Sequence, residues 1–342
     1  MVITWLHTDG KYIKNEYGKT IFLRGVTPGG LGESGLAGWN VGTGGIAATM
    51  NLMLQLCVPN KPNVLRCCTS TVSGWTNPQI FNTAIDELVN WASQHDIYVI
   101  IEFHGVQWGS PEVQRLKADP TDWINWFKYF ATRYKDNPTV CGFEIWNEPS
   151  SSDWTQAQWR NVATQCYNAI RLINPKALVI VTSIPYGGIN PDWVNNPLGP
   201  QVVYGYDFYY YQMAHDWYHV PYDTGDYVTA RSRFESFFLN ADGAPNINCG
   251  LPVINTEFGF HLDDNLQAVT DCCDIMNKYE TSWYYFWWWG NPANQGMFDG
   301  STNTLSPFGA VIKNYFNPLL ATHRLTVNSN VQNIPFTINK II

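Results

Sequence analysis

Two hydrophobic patterns alternate along the chain. Between Gln79 and His95, apolar residues recur every three or four positions, which predicts an amphipathic helix. The next apolar residues form the continuous run YVIIEFH, which is typical of a parallel strand covered on both faces. Helical patterns at 122–134 and 153–173 precede two further runs of this kind, VCGFEIWN and ALVIVTS. This repetition of helix and buried strand predicts an α/β fold with a parallel sheet.

Eight strands of this kind can be counted along the chain. They are FLRGV, NVLRCC, YVIIEFH, VCGFEIWN, ALVIVTS, VVYGYDFY, PVINTEF and SWYYFWWW. Eight strands with helices between them predict a closed (β/α)8 TIM barrel, in which functional residues lie at the carboxyl ends of the strands. An N-terminal β-hairpin is predicted within residues 11–26, with its turn near Asn15 to Gly18, and a final helix is predicted around 308–316.

The last residues do not continue the barrel pattern. We interpret residues 1–320 as one barrel domain, since this length suits a single large barrel. The segment HRLTVNSNVQNIPFTINKII instead alternates apolar and polar residues as a strand does. Residues 321–342 are therefore predicted to be a linker or the start of a truncated C-terminal β module. A short β-like hairpin packed on the barrel is the alternative.

Composition limits the ligands that the barrel is expected to bind. Only 14% of residues are charged, the net charge is -8, and Lys and Arg form no basic stripe, so nucleic acid is not an expected partner. No apolar run reaches about 18 residues, so a membrane is not an expected partner either. Aromatic residues make up 15% of the chain, which suits stacking on a neutral, ring-shaped ligand. We expect a monomer.

The eight cysteines lack the spacing of a metal site. They include two adjacent pairs but no Cys-x-x-Cys motif, so we expect neither a metal ion nor another cofactor. An even number of cysteines is compatible with disulfides. Cys67, Cys68 and Cys141, however, lie in predicted strands, where a buried free thiol is the commoner state. Both states stay open at this level.

Residues suited to catalysis or binding occur where the predicted strands end. In chain order they are Arg66, His104, Asn147, Glu148, Tyr209, Glu257 and Trp287. Glu148 precedes Pro149, which lacks a backbone donor and marks the end of strand four. Since Glu257 ends strand seven, the two carboxyl groups are expected to face each other across the barrel mouth. Carboxyl groups about 5–5.5 Å apart serve a retaining glycosidase as proton donor and nucleophile.

Five sequence motifs resemble those of one enzyme family. VLRCC, IEFHG, GFEIWNEP, INTEFG and WYYFWWWG occur in this order over roughly residues 10 to 318, which resembles the family five glycoside hydrolases, cellulase-type retaining (β/α)8 barrels. The resemblance implies that Glu148 is the acid/base and Glu257 the nucleophile. Electrostatics agree with this division. Arg66 would keep Glu257 ionised for attack, while Glu148, with fewer cationic neighbours, would keep its proton.

The resemblance also implies roles for the neighbouring residues. Asn147 would bond the sugar 2-hydroxyl, and Arg66 would bond the nucleophile. His104 would line the −1 subsite, and Trp287 matches the stacking platform of strand eight.

One motif departs from the family pattern. In VVYGYDFYYYQMAHD, Asp207 occupies the position where the family usually has His, and Tyr209 is then the tyrosine that contacts the nucleophile. A shifted alignment would give part of this role to Tyr206 or His215. A carboxylate at Asp207 is expected to perturb the ionisation of the other two carboxyl groups.

Several other residues are weaker candidates. Trp39 and Trp108 lie in rim loops, where we expect them to be stacking platforms of outer subsites. Glu33 and Asp299 also lie in rim loops and are candidates for bonding sugar hydroxyls, although loop carboxylates are usually just solvated.

Two further carboxylates occur earlier in their strands. We expect Glu102 and Glu144 to be buried below the rim and to have structural roles. An unpaired buried carboxylate is costly, so they are expected to pair with basic groups such as Arg24.

The chain is therefore predicted to be a retaining endo-β-1,4-glucanase that hydrolyses cellulose or mixed-linkage β-glucan by double displacement. The alternatives are a β-mannanase or another β-glycanase of the same family and, from a different class, a non-catalytic carbohydrate-binding barrel. The intact glutamate pair argues against the binding barrel. A metal-dependent hydrolase is disfavoured because no His-x-His motif ends strand one. A polymeric substrate requires an exported enzyme, so we expect an extracellular location and a signal peptide that has been removed.

Overall fold

Most of the chain is described by a computed structural model. The described residues are 2–32, 35–36, 45–69, 76–104, 109–184, 189, 191–209, 222–239, 246–260, 265–290 and 296–317. The C-terminal segment 321–342 lies outside them, so its assignment as a linker or truncated β module stays a prediction.

Eight parallel strands close into a barrel, which confirms the predicted fold. In chain order they are β3 (Arg24–Val26), β6 (Val64–Thr69), β7 (Tyr98–Phe103), β8 (Val140–Glu144), β9 (Leu178–Thr182), β10 (Val202–Tyr209), β11 (Val253–Gly259) and β12 (Ser282–Tyr285). β3 pairs with β12 on one side and with β6 on the other, and the second pairing closes the sheet. Gly25 permits this closure, because a Cβ atom there would lie 1.9 Å from the carbonyl oxygen of Val64.

Shorter strands extend the barrel. β1 (Leu6–Asp9) and β2 (Tyr12–Asn15) form a hairpin, β4 (Gly30–Gly32) pairs with β6 and β5 (Gly35–Leu36), and β13 (Trp289–Gly290), β14 (Phe298–Asp299) and β15 (Thr304–Leu305) form a small sheet. The N-terminal hairpin is confirmed, and the predicted turn is present, since the Gly18 amide donates to the Asn15 carbonyl at 2.9 Å and Lys14 pairs antiparallel with Thr20 across it. An additional, earlier turn joins β1 to β2, where Asp9 pairs with Tyr12.

Helices lie between the barrel strands. They are α1 (Gly45–Cys57), α2 (Asn82–Gln94), α3 (Pro111–Ala118), α4 (Thr121–Arg133), α5 (Gln156–Ile173), α6 (Pro191–Asn195), α7 (Tyr227–Leu239), α8 (Leu266–Lys278) and α9 (Pro307–Ile312), with 3₁₀ turns at Pro78–Phe81, Tyr222–Thr224 and Lys313–Tyr315. α5 begins three residues after the predicted Asp153, because Thr155 and Gln158 form a capping box. None of the helices in the described ranges is long and apolar enough to cross a membrane.

Inward and outward side chains alternate along the barrel strands. On β6, Val64 lies in the interior cluster, Leu65 packs in the outer cluster with the helices, and Arg66 faces inward again. The inward side chains near the beginnings of the strands are apolar or weakly polar. We call six of them the apolar layer: Val64, Tyr98, Cys141, Leu178, Val203 and Ile254. The N-terminal hairpin covers this end of the barrel, since its Leu6 and Ile13 belong to the same interior cluster. Just before the hairpin, the Thr4 carbonyl accepts the Tyr98 hydroxyl at 3.0 Å.

Arg24 does not reach the interior, so its expected pairing with Glu102 and Glu144 is wrong. Leu23 belongs to the interior cluster, and the alternation of the strand turns Arg24 outward. Its Nη1 donates to the carbonyl oxygen of Tyr315 at 3.1 Å. Both glutamates are fully buried and contact a different arginine, which is part of the site.

The cysteines resolve the alternative that the sequence left open. All eight lie in described parts of the chain, and all carry free thiols. Cys67, Cys68 and Cys141 are buried, as expected for free thiols in barrel strands.

Candidate active site

Arg66 lies at the centre of a polar cluster at the carboxyl ends of the strands. Its side chain is fully buried on β6. Nε and Nη2 donate to the two carboxylate oxygens of Glu144 at 2.8 and 2.6 Å. Nη1 donates to Glu257 at 2.5 Å, and Nη2 also donates to the amide oxygen of Asn147 at 2.8 Å. One guanidinium fork thus fixes three acceptors that come from two different strand ends.

Glu257 accepts hydrogen bonds on both carboxylate oxygens. Oε1 receives the bond from Arg66, and Oε2 receives the hydroxyl of Tyr209 at 2.7 Å. Tyr209 ends β10, the strand that pairs with β11. Only 3% of Glu257 is exposed, and two donors on separate oxygens stabilise the anion.

Glu148 lies in the loop after β8, next to Asn147. Its backbone φ is 42°, in the left-handed region that non-glycine residues rarely adopt. A conformation of this kind costs roughly 1–3 kcal/mol and persists where the surrounding structure imposes it. Burial, reinforced by the negative charge of Glu257, raises the pKa of Glu148 to about 7. Glu148 therefore holds a proton below neutral pH.

Asp207 brings a third carboxyl group to the same place. One oxygen each of Glu148, Asp207 and Glu257 lies within 4.8 Å of the others. Asp207 is 3% exposed, and its Oδ1 accepts the hydroxyl of Thr256 at 2.5 Å. Carboxyl groups this close disfavour ionisation of one another.

Thr256 was missed from the sequence. It directly precedes Glu257, and strict alternation along β11 would turn one of the two side chains away from the cluster. A shift in the register of β10 and β11 at Asp207 instead brings both side chains to it.

Tyr206 does not take the place of Asp207. It lies in the outer cluster, where its ring meets the edge of Phe238 at 6.4 Å on the helix side of β10. His215, the other alternative, lies outside the described residues.

His104 is oriented by Glu102. Its Nδ1 lies 3.1 Å from Glu102 Oε2, and Glu102 Oε1 lies 3.7 Å from Arg66. Burial opposes ionisation of Glu102, but His104 and Arg66 outweigh burial and lower its pKa. Burial also opposes protonation of His104, but Glu102 outweighs it and raises the pKa of the imidazole. The side chain of His104 is 27% exposed, so Nε2 is the ring nitrogen left for a ligand. His104 follows Glu102 by two residues, and residues two apart on a strand share a face, so this spacing is the sequence signal for their contact.

Trp287 follows β12 and is half-buried. Its ring stacks on Phe286, with 4.6 Å between the centroids. Phe286 meets Tyr209 edge-on at 6.4 Å, so Phe286 connects Trp287 to the tyrosine that contacts Glu257.

Three further candidates, Trp39, Trp108 and Glu33, lie outside the described residues. Asp299 does not join this cluster, because its carboxylate accepts from the Ser301 amide and hydroxyl at 2.8 and 2.6 Å within its own turn.

Within the described ranges, two groups of side chains are close enough to share a metal ion. They are Cys68 with Glu102 and His104, and Glu148 with Asp207 and Glu257. The first group is already joined by the bond between His104 and Glu102, and burial raises the pKa of the Cys68 thiol well above its usual range. In the second, the guanidinium of Arg66 lies 2.5 Å from Glu257 and already supplies a positive charge there. We assign a metal to neither group.

A closed (β/α)8 barrel with carboxyl groups clustered at the carboxyl ends of its strands is an architecture suited to glycoside hydrolysis. Residues 26–292 match the family model Cellulase (glycosyl hydrolase family 5). This match covers more than half of the chain, so the chain belongs to this family of glycoside hydrolases.

Curated relatives are endoglucanases of modest identity. An endoglucanase from Paenibacillus polymyxa is 28% identical over 205 residues, which are 53% of this chain and 50% of that protein. Endoglucanase CelA from Streptomyces lividans is 27% identical over 219 residues, 61% of this chain and 43% of that protein. The chain thus spans about half the length of the curated relatives it matches, or less.

Solved structures share the fold. A β-glucanase from Saccharophagus degradans has a TM-score of 0.71 at 18% identity, over 92% of this chain and 94% of that chain. The catalytic domain of a Thermobifida fusca endoglucanase has a TM-score of 0.69 at 18% identity, over 92% of this chain and 97% of that chain.

Proposed function

We propose that this protein is a retaining endo-β-1,4-glucanase that hydrolyses cellulose or mixed-linkage β-glucan. The observation that carries the proposal is the pair Glu148 and Glu257, whose nearest carboxylate oxygens lie within 4.8 Å. Retaining glycosidases have carboxyl groups about 5–5.5 Å apart, whereas inverting enzymes need about 6.5–9.5 Å to admit a water molecule. The short separation supports double displacement.

Glu257 is the nucleophile in this proposal. Its carboxylate attacks the anomeric carbon while the bond from that carbon to the leaving oxygen breaks. Glu148 gives its proton to the leaving oxygen, and a glycosyl ester forms on Glu257. Arg66 and Tyr209 hold the attacking carboxylate and stabilise its charge before attack.

Glu148 acts as the base in the second step. Burial and the charge of Glu257 together raise the pKa of Glu148, and the ester has no negative charge, so the repulsive part is removed. The ionised Glu148 takes a proton from water as the water oxygen attacks the anomeric carbon. Glu257 leaves as a carboxylate, and the sugar keeps its original configuration.

Neighbouring side chains are proposed to bind the sugar. Arg66 occupies the amide oxygen of Asn147, which leaves the amide NH2 to donate to the sugar 2-hydroxyl. His104 would present Nε2 to the −1 subsite, since Nδ1 is held by Glu102. Trp287 would stack on a sugar face. Trp39 and Trp108 stay predicted platforms of outer subsites.

The preference for glucan is supported by the relatives. The endoglucanase relatives and a β-glucanase structure in complex with cellotetraose (17% identity, TM-score 0.71) favour β-1,4-glucan. A β-mannanase or another family five β-glycanase is the second candidate, because the described site fixes the reacting centre and not the hydroxyl stereochemistry of the sugar. We also propose that the enzyme acts outside the cell, because its polymeric substrate is found there. We propose further that it is a monomer.

Hydrolysis of a substrate panel tests this function. Carboxymethylcellulose, barley β-glucan, glucomannan and mannan are incubated with the protein, and kcat/KM and product lengths are measured. We expect the highest kcat/KM on the glucans and early products of several lengths. Faster cleavage of mannan would establish the mannanase alternative, and binding without cleavage would establish a carbohydrate-binding barrel.

A further inference from the structure

Asp207 is buried at the reacting centre, and no cationic side chain of the described residues donates a hydrogen bond to it. Only 3% of the residue is exposed. The guanidinium hydrogen bonds of Arg66 go to Glu144, Glu257 and Asn147 instead. Thr256 donates to Oδ1 of Asp207, while Oδ2 has no hydrogen-bond partner within the described ranges.

This pattern of partners is that of a neutral carboxylic acid. A carboxylate is an acceptor only, so burial as an anion calls for donors on both oxygens. A carboxylic acid has a carbonyl oxygen that accepts and a hydroxyl that donates. In Asp207, Oδ1 with its Thr256 donor fits the carbonyl oxygen, and the unpartnered Oδ2 fits the hydroxyl.

The surrounding charges favour the same form. Among the described residues, the titratable groups that face Asp207 are Glu257 on β11, Glu148 after β8, Arg66 on β6 and Tyr209 on its own strand. Burial, followed by the charges of Glu257 and Glu148, raises the pKa of Asp207 well above its usual range, and Arg66 offsets this only in part.

We propose that Asp207 keeps its proton at neutral pH and acts as a positioning residue, donating its Oδ2 hydroxyl to whichever of Glu148 and Glu257 is ionised. Among the described residues Oδ2 has no hydrogen-bond partner, so this bond forms only when the Asp207 side chain rotates. Oxygens of all three carboxyl groups lie within 4.8 Å of one another, so the rotation is small. In the proposed mechanism the ionised acceptor is Glu257 before attack and Glu148 in the glycosyl-enzyme. The proton stays on Asp207 throughout, and no bond of Asp207 is made or broken.

This inference rests on the proposed roles of the two glutamates, but its first test does not need activity. Infrared difference spectra of wild type and Asp207→Asn are recorded on the free protein at neutral pH. Asn lacks the acid group but keeps a donor in the same place. We expect the wild type to show a protonated-carboxyl band that is absent from Asp207→Asn and retained in Thr256→Val. Identical spectra in that band would mean that Asp207 is ionised and would overturn the proposal, whatever the enzyme hydrolyses.

Kinetics on a soluble glucan test the positioning role. Removing a hydrogen bond to a charged group is worth about 10- to 100-fold, so Asp207→Ala is expected to lose that much kcat with little change in KM. Asp207→Asn, which still donates, is expected to lose less than about tenfold. If Asn is as damaging as Ala in folded protein, Asp207 does not act as a donor. If Ala fails to fold, the comparison of Asn with wild type still decides, since a loss of about 100-fold with Asn contradicts the role.

Discussion

The same inward faces of the barrel strands carry two unlike layers. The apolar layer near the strand beginnings contains side chains such as Val64 and Leu178, which pack without ion pairs. Two residues beyond Val64 on β6, Arg66 begins a charged layer, which we define as Arg66, Glu102, Glu144, Asp207 and Glu257 with Glu148 above them. The apolar layer stabilises the fold through burial, whereas the charged layer gathers carboxyl groups that repel one another. Stability and chemistry are thus separated along the barrel axis.

The largest expected effect comes from the charged layer. Glu257→Gln removes the nucleophile but keeps the shape of the side chain, so kcat on carboxymethylcellulose should fall at least about 10⁴-fold. Calorimetry should show that binding of cellotetraose persists. Glu16→Gln is the matched control, because Glu16 is exposed on the N-terminal hairpin and should leave kcat unchanged. Substantial hydrolysis by Glu257→Gln would remove this residue from the mechanism.

Replacing the proton donor should have a smaller effect that depends on the leaving group. Glu148→Gln is expected to slow hydrolysis of glucan about 10²- to 10⁴-fold, the usual contribution of general acid–base catalysis. An aryl cellobioside whose leaving group needs no proton should still form the glycosyl-enzyme rapidly, which stopped-flow measurement of the released phenol would detect as a burst. If Glu148→Gln slowed the burst as much as it slows hydrolysis of glucan, Glu148 would not be the acid.

Substitution in the apolar layer should lower the stability of the protein and leave kcat unchanged. Leu178→Ala is expected to lower the free energy of unfolding by about 2–5 kcal/mol, because it opens a cavity in a packed interior. Leu178 packs against Gly142, where an added Cβ would lie 3.0 Å from the Leu178 Cβ. Denaturant unfolding measures the loss, and kcat of the folded variant should match wild type. A loss of kcat comparable to that of Glu148→Gln would contradict the separation of the layers.

The pH profile should show the smallest of these effects. The acid form of Glu148 is needed for the first step, and its raised pKa of about 7 means that this form is lost as the pH rises through neutrality. Above that point, kcat/KM should fall about tenfold for each pH unit. A profile measured on an aryl cellobioside that needs no proton should lack this alkaline limb. An alkaline limb of equal size on both substrates would assign it to another group.

Part of this arrangement was predictable because strands alternate. Long strands show which side chains share a face, so the sequence pattern alone places His104 and Tyr209 at strand ends. Arg24 was misplaced because its strand has three residues and offers too short a pattern. The earlier turn between β1 and β2 was missed, although Gly10, whose φ is positive, is a residue typical of such a hairpin turn.

The remaining features depend on irregular backbone, which periodicity does not describe. The shift in register at Asp207 brings Thr256 and Glu257 to one cluster, although they are consecutive. The left-handed backbone of Glu148 likewise has no signal beyond the proline that follows it. The contact between Arg66 and Glu257 required the closure of the sheet into a barrel, because four strands separate β6 from β11 in the sheet.

The assignment of Glu257 as the nucleophile and Glu148 as the acid/base is tested most directly by trapping the covalent intermediate. A fluorinated cellobioside with an activated leaving group is incubated with the enzyme, and the labelled protein is digested and mapped by tandem mass spectrometry. We predict one label per protein, carried on the carboxylate of Glu257. A label on Glu148 or Asp207, or release of product of inverted configuration without any label, would contradict the account.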